Sequence, residues 1–164
     1  MSYNPKLKAV VTQNIDGLHQ AAGSKRVLEL HGNWTRLECT GCGARSTIDD
    51  FDEARAGRVP HCPSCSAVVR PDIVFYGEAL DPATLEGAVL AIAGADMLIV
   101  GGTSLAVYPA AGLIDYYQGG RLVLMNATPT PYDGRADLII REPIGRVFAQ
   151  IQGHVCAGAT VRPE

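Results

Sequence analysis

The chain has 164 residues, 47% hydrophobic and 19% charged, with 18 glycines, 10 prolines and a formal net charge of -3. That length sustains one compact domain with a core and a small second lobe, and the composition excludes a disordered chain. The acidic balance disfavours direct nucleic-acid binding, which needs a basic surface to neutralise phosphates, and no apolar run approaches the roughly 20 residues that span a bilayer. Residues 1–6 lack a signal-peptide pattern, so the cytoplasm is the expected compartment.

Residues 8–12 form a β-branched run that predicts a buried strand, and Gln13, Asn14 and Asp16 crowd its carboxyl end with amide and carboxylate groups. Ligands sit at that end of a strand in a parallel α/β sheet. The competing reading is a helix cap, in which Asn14 or Asp16 satisfies free backbone N–H groups. Residues 19–23 predict a brief helix ended by glycine, and residues 26–30 a second strand with His31 directly after it. An imidazole with an unperturbed pKa of about 6.5 suits acid/base work there, against the plainer reading of a structural or surface histidine.

Two Cys-x-x-Cys knuckles follow, Cys39 with Cys42 and Cys62 with Cys65, with nineteen residues between them. Four thiolates at this separation close a tetrahedral structural zinc site with no open position for chemistry. Two disulfides are the alternative, but the Gly and Pro residues around each knuckle favour the turns of a zinc site. His61 is left out because four cysteines complete the set. Between the knuckles, residues 45–58 read as a solvated helix or loop, with Asp49, Asp50, Asp52 and Glu53 assigned no chemistry.

Past the knuckles, Pro71 cannot donate a ladder hydrogen bond, so residues 73–76 are expected as an edge segment or ordered loop. An edge segment can accept a peptide as an added strand. Residues 81–93 predict a helix, residues 96–104 a buried strand running into the turn Gly102-Thr103-Ser104, residues 108–118 a helix, and residues 121–126 a strand ending in Asn126. This β-α-β unit lacks a Gly-x-Gly-x-x-Gly fingerprint. A strand at 137–140, a short helix at 144–151 and a soft tail at 153–164 complete the chain, with Cys156 read as a thiol without a role. The polar groups at four strand ends are expected to converge at the carboxyl edge of one sheet, as in a nucleotide site.

Taken together these motifs resemble the sirtuin family of NAD-dependent protein deacylases. The resemblance rests on Thr12-Gln-Asn-Ile-Asp-Gly-Leu-His19, Glu29-Leu-His-Gly32, the four cysteines, Arg70-Pro-Asp-Ile-Val-Phe-Tyr-Gly-Glu78 and Gly102-Thr-Ser-Leu-Ala-Val-Tyr-Pro109, in the family's order across residues 7–151. It implies an α/β fold with a Rossmann-like parallel sheet, residues 1–38 and 66–152, carrying an inserted zinc-ribbon lobe, residues 39–65, with one structural zinc ion. It also implies that Gln13, Asn14 and Asp16 line the pocket for nicotinamide and its ribose. Asn14 and Asp16 would act beside His31, the general base on a ribose hydroxyl. Gly102, Thr103, Ser104 and Asn126 would hold the adenosine and phosphate side of NAD. An acyl-lysine peptide would lie as a strand between Val74, Phe75, Tyr76, Gly77 and Glu78 on one side and the loop that ends at Val107 on the other, its amide hydrogen bonded to the Val74 carbonyl. The implied reaction joins the acyl oxygen to the anomeric carbon of NAD as nicotinamide leaves, and yields free lysine and O-acyl-ADP-ribose.

Two departures from the family pattern carry expectations of their own. Only twelve residues precede Gln13, so the family's Gly-Ala-Gly phosphate loop, its first strand and its Gly-Ile-Pro-Asp-Phe-Arg segment are expected to be missing, with weak NAD binding and slow or no turnover as the consequence. Tyr76 replaces the family's usual Phe, which bears on acyl preference. The alternative to an enzyme is a non-catalytic zinc-containing module that binds a peptide or nucleotide.

Overall fold

The computed structural model describes residues 6–157. It divides into two compact units, Met1–Ala91 and Ile92–Glu164. Residues 158–164 of the expected tail and the side chain of Cys156 lie outside the described part.

In the first unit, β1 (Val10–Thr12) and β2 (Val27–Glu29) pair in parallel, joined through the one-turn helix α1 (Leu18–Ala21). Both strands are shorter than the expected 8–12 and 26–30, and Gly17, with a left-handed φ of 69°, leads into α1. The chain then enters β3 (Gly32–Cys39), the middle strand of an antiparallel sheet flanked by β4 (Arg45–Thr47) and β5 (Val69–Ile73). The passage from one sheet to the next depends on Gly32. Its φ is 77°, and a Cβ placed there would stand 2.0 Å from the Asp72 carbonyl oxygen of β5. Gly32→Ala is therefore expected to destabilise the unit by about 2–4 kcal/mol, since both the backbone conformation and the strand contact resist a side chain. A urea midpoint equal to that of the parent chain would contradict this reading.

Two sequence expectations change here. Residues 45–58 are not a plain solvated segment: they hold β4, a 3-10 turn (Ile48–Asp50) and the short helix α2 (Asp52–Arg55). Ile48, Phe51 and Ala54 recur every third residue and pack on Leu37, Cys39, Cys62 and Val69, while the Asp50 carboxylate accepts from the Thr47 N–H and hydroxyl. A strand not expected from the sequence, Val69–Ile73, precedes that segment and contains Pro71, while residues 74–76 form the expected loop. Pro71 is tolerated because β5 is an edge strand and pairs with Leu37 where the register shifts between Asn33 and Leu37. The helix α3 (Pro82–Ala93) then starts on Asp81, whose carboxylate accepts from the Thr84 N–H and hydroxyl at 2.7 Å each, and Gly87 lets it approach Leu28 of β2.

The second unit is a three-stranded parallel sheet in the order β6 (Leu98–Gly101), β7 (Leu122–Met125), β8 (Leu138–Ile140). All four residues of β7 are buried, as a central parallel strand requires. β6 is less buried than its apolar sequence suggests, with Ile99 43% exposed, because it lies at the sheet edge. The predicted helix over 108–118 is a 3-10 helix, Ala110–Tyr116. Residues three apart eclipse in that geometry, so Ala110 and Leu113, and Ala111, Ile114 and Tyr117, form two rows that are buried together. α4 (Ile144–Ala157) runs past the expected 151 and sets Val147 on Val123 and Met125, with Ile144 seated over Gly101. No helix among the described residues is long and apolar enough to cross a membrane.

Candidate functional site

The four cysteines come together as their spacing requires. Cys39 closes β3, Cys42 follows in its turn, and Cys62 and Cys65 sit in the loop before β5, with all four Sγ atoms within 4.8 Å of one another. Cys39 and Cys65 are 3.3 Å apart and Cys42 and Cys62 3.7 Å, so none is a disulfide. Zn–S bonds of about 2.3 Å in a tetrahedron put sulfurs about 3.8 Å apart, so the cluster fits one structural zinc ion. Backbone N–H groups of Cys42 and Gly41 point at Cys39 Sγ and lower its pKa to about 6, and those of Ser64 and Cys65 lower that of Cys62, while neighbouring thiols and burial outweigh the backbone N–H groups at Cys42 and Cys65 and push these two up, Cys65 to about 12. His61 stays outside the cluster and pairs its backbone with Val68.

His31 lies in the tight turn between β2 and β3, eight residues before Cys39. Its Nδ1 stands 3.0 Å from the Gln13 carbonyl oxygen, at the carboxyl end of β1. A carbonyl only accepts, so this contact needs the proton on Nδ1, and in a neutral imidazole that leaves the lone pair of a general base on Nε2. The backbone oxygen of His31 accepts from the Val74 N–H at 3.0 Å. The first unit thus brings together Gln13, His31 and Val74 from three separate chain segments.

The rest of the first cluster is held from behind. Asn14 donates its backbone N–H to Thr12 Oγ1, and Asp16, one residue before the N-cap Gly17, accepts from the Leu18 N–H, with both side chains exposed. The backbone oxygen of Ile15 accepts from the Trp34 N–H. Asn33, two residues after His31, is 6% exposed. It donates to Glu29 Oε1 at 2.7 Å and accepts from the Thr35 N–H and hydroxyl. Glu29 also pairs with Arg36, which reaches on to Asp72 at 3.0 Å. Burial by itself raises the Glu29 pKa, but hydrogen bonds from Arg36, Asn33 and Gln20 outweigh it and hold the carboxyl below its ordinary value. This brace on both sides of His31 was not read from the sequence. Asn33 belongs to no chemical pattern, and Arg36 and Asp72 are thirty-six residues apart.

The second unit gathers its own cluster. Gly101 and Met125 are paired residues of β6 and β7, so Gly102 and Asn126 leave adjacent parallel strands side by side, with the Gly102 N–H donating to the Met125 oxygen. Gly102 has a φ of 65°, and no heavy atom lies within 4 Å of where a Cβ would stand, which leaves its backbone open to a ligand. Leu105, itself left-handed at 52°, is buried and anchors the loop, while Ser104 and Val107 are exposed and Thr103 Oγ1 accepts from the Leu105 N–H. Asn126 donates its side-chain amide to the Thr128 oxygen, and Arg141 donates to the carbonyls of Asn126 and Thr128. Each unit has its own hydrogen-bonded parallel sheet, β1–β2 in the first and β6–β7–β8 in the second, with polar groups at the carboxyl end. Tyr117 bridges the residues just before β6 and β7, its hydroxyl donating to the Asp96 carbonyl and accepting from the Arg121 N–H.

Comparison with known proteins agrees with this geometry. An NAD-dependent protein deacetylase of Clostridium acetobutylicum is 51% identical over 146 residues, which cover 89% of this chain and 59% of that protein. One of Clostridium perfringens is 52% identical, with the same coverage. A solved structure of Sir2 with a p53 peptide and NAD+ superposes with a TM-score of 0.83 at 40% identity, covering 92% of this chain and 64% of that one. The chain therefore spans about three fifths of the length of the curated relatives it matches. The sequence model of the Sir2 family matches residues 1–109, and with the four-cysteine cluster and the parallel sheets in place the chain belongs to that family.

Proposed function

We propose that this chain carries catalytic machinery of an NAD-dependent protein-lysine deacylase, which moves an acyl group from lysine to ADP-ribose and releases nicotinamide. The observation that carries the reading is the His31 imidazole, held through Nδ1 by the Gln13 carbonyl at the carboxyl end of a parallel strand. Membership of a family whose matched relatives are named NAD-dependent protein deacetylases supports it.

His31 Nε2 takes the proton of a ribose hydroxyl. Gln13, Asn14 and Asp16 surround the nicotinamide ribose, and Asn14 and Asp16 orient the reacting groups. Gly102, Thr103, Ser104 and Asn126 hold the adenosine and phosphate side, where the open Gly102 backbone gives close approach. NAD, when bound, supplies the electrophilic carbon to which the acyl oxygen bonds. An amide oxygen is a weak nucleophile, so alignment and a nearby base must provide most of the rate. Val74, Phe75, Tyr76, Gly77, Glu78 and Val107 contact an acyl-lysine peptide, and the zinc at Cys39, Cys42, Cys62 and Cys65 is structural.

Incubation of the chain with an acetyl-lysine peptide and NAD at high concentration is expected to give free lysine, nicotinamide and O-acetyl-ADP-ribose in equal amounts by mass spectrometry, with weak NAD binding and turnover that is slow at best. Loss of acetyl groups without NAD, or no NAD-dependent loss together with no NAD binding, would overturn the reading.

A further inference from the structure

We propose that Arg70 is a positioning residue, the clamp that gives the Val74–Gly77 segment the shape in which it receives the peptide. This rests on the peptide-binding role proposed above. Arg70 lies on β5 and pairs in register with Glu38 of β3, so its base is fixed on the central strand of the lobe. Its guanidinium grips the following turn at three points. Nη1 and Nη2 donate to Glu78 Oε1 and Oε2 at 2.9 and 3.0 Å, and Nη2 also donates to the Ile73 carbonyl at 2.9 Å. The same group stands 4.7 Å over the Phe75 ring. Glu78 passes the constraint on: its Oε2 accepts from the Phe75 N–H at 2.9 Å, and its own N–H donates to the Phe75 oxygen at 3.0 Å.

Residues 70, 73, 75 and 78 are thus joined into one closed unit, tied to His31 through the Val74 N–H. Tyr76, at 104% relative exposure, and the half-exposed Phe75 are what the clamp leaves facing outward, with Gly77 at a φ of 86° completing the turn. An exposed ion pair by itself contributes little to stability. This one differs because the fork is bidentate, stacked on an aromatic face and shared with backbone groups, a set of contacts that a planar guanidinium makes and an ammonium does not. The pair also persists over the working pH range. The Arg70 guanidinium, helped by the Phe75 N–H, holds the Glu78 carboxyl at about 2, against an ordinary 4.5. Its contribution is therefore full above about pH 4.5 and is lost only as the pH falls toward 2. A loop already fixed in its binding shape loses less entropy on association, so the clamp should appear in peptide affinity.

The test compares Arg70→Ala, Arg70→Lys, Glu78→Gln and the Arg70→Ala/Glu78→Gln double variant with the parent chain, using a fluorescent acetyl-lysine peptide and amide hydrogen exchange. Arg70→Ala should weaken the peptide by about tenfold, and Arg70→Lys should recover little of it, because the charge returns without the fork. Amides of Phe75 and Glu78 should exchange about tenfold faster, while those of Leu37 and Cys39 in β3 and the bound zinc stay as in the parent. The double variant should be no weaker than Arg70→Ala, since both groups act as one unit. Peptide affinity of Arg70→Ala within about twofold of the parent, or full recovery by Arg70→Lys, would overturn the clamp. No peptide binding by the parent chain would overturn the peptide-binding reading itself, and the clamp's role with it.

Discussion

Chelating the zinc should unfold the lobe formed by β3, β4 and β5. The lobe spans residues 32–73, a size at which a hydrophobic core alone rarely suffices. Its core consists of Leu37, Cys39, Phe51, Cys62 and Val69, so two of the five buried residues are themselves zinc ligands. Packing and metal binding are one structure here. The knuckle is close-fitting as well: a Cβ on Gly41 would stand 2.7 Å from the Ala67 Cβ and 3.3 Å from Cys65 Sγ. Zinc binding to such small sites is worth about 10–16 kcal/mol in apparent free energy and is inseparable from folding. Cys39→Ser or Cys62→Ser, which remove a buried ligand, should match the chelated protein, with lost exchange protection across β3 and β5. Because β5 carries Arg70 and the segment after it, activity should disappear at the same time. A metal-free chain that keeps its melting temperature and its activity would remove the structural role of zinc.

His31→Ala should abolish deacylation while leaving the fold intact. The side chain is partly exposed in a turn and is held through Nδ1 by the Gln13 oxygen, so its removal should shift stability by less than about 1 kcal/mol. General-base catalysis contributes about 10²–10⁴ in rate, and the loss should fall in that range, read from nicotinamide release at saturating NAD and peptide. Acetyl-lysine peptide should still bind, because the Val74 N–H bonds to the backbone oxygen of residue 31, which the substitution keeps. This combination also separates an enzyme from a non-catalytic peptide-binding module. In the module, His31→Ala would change neither property.

The motifs that were legible in the sequence are those whose chemistry is local. Four cysteines in two turns define a zinc site whatever surrounds them, and the strand at 26–30 with His31-Gly32 directly after it was legible as a short apolar run. Glycines at residues 32 and 102 mark positions that a side chain would block or strain. Element types were less secure wherever burial decided them. Phe51 turns a polar segment into part of the lobe core, and the rows at Ala110–Tyr116 form a 3-10 helix because both must be buried on one side.

The sequence by itself determined the family, the fold class, the metal ligands and the residues with suitable chemistry, because each follows from residue type and short spacing. Only the tertiary structure decided the contact of His31 Nδ1 with the Gln13 oxygen, the brace of Glu29, Asn33 and Arg36 around it, and the grip of Arg70 on Glu78. Those features depend on which distant backbone and side-chain atoms meet at hydrogen-bond distance. Strand pairing and burial set that proximity, and neither is encoded in any one stretch of the chain.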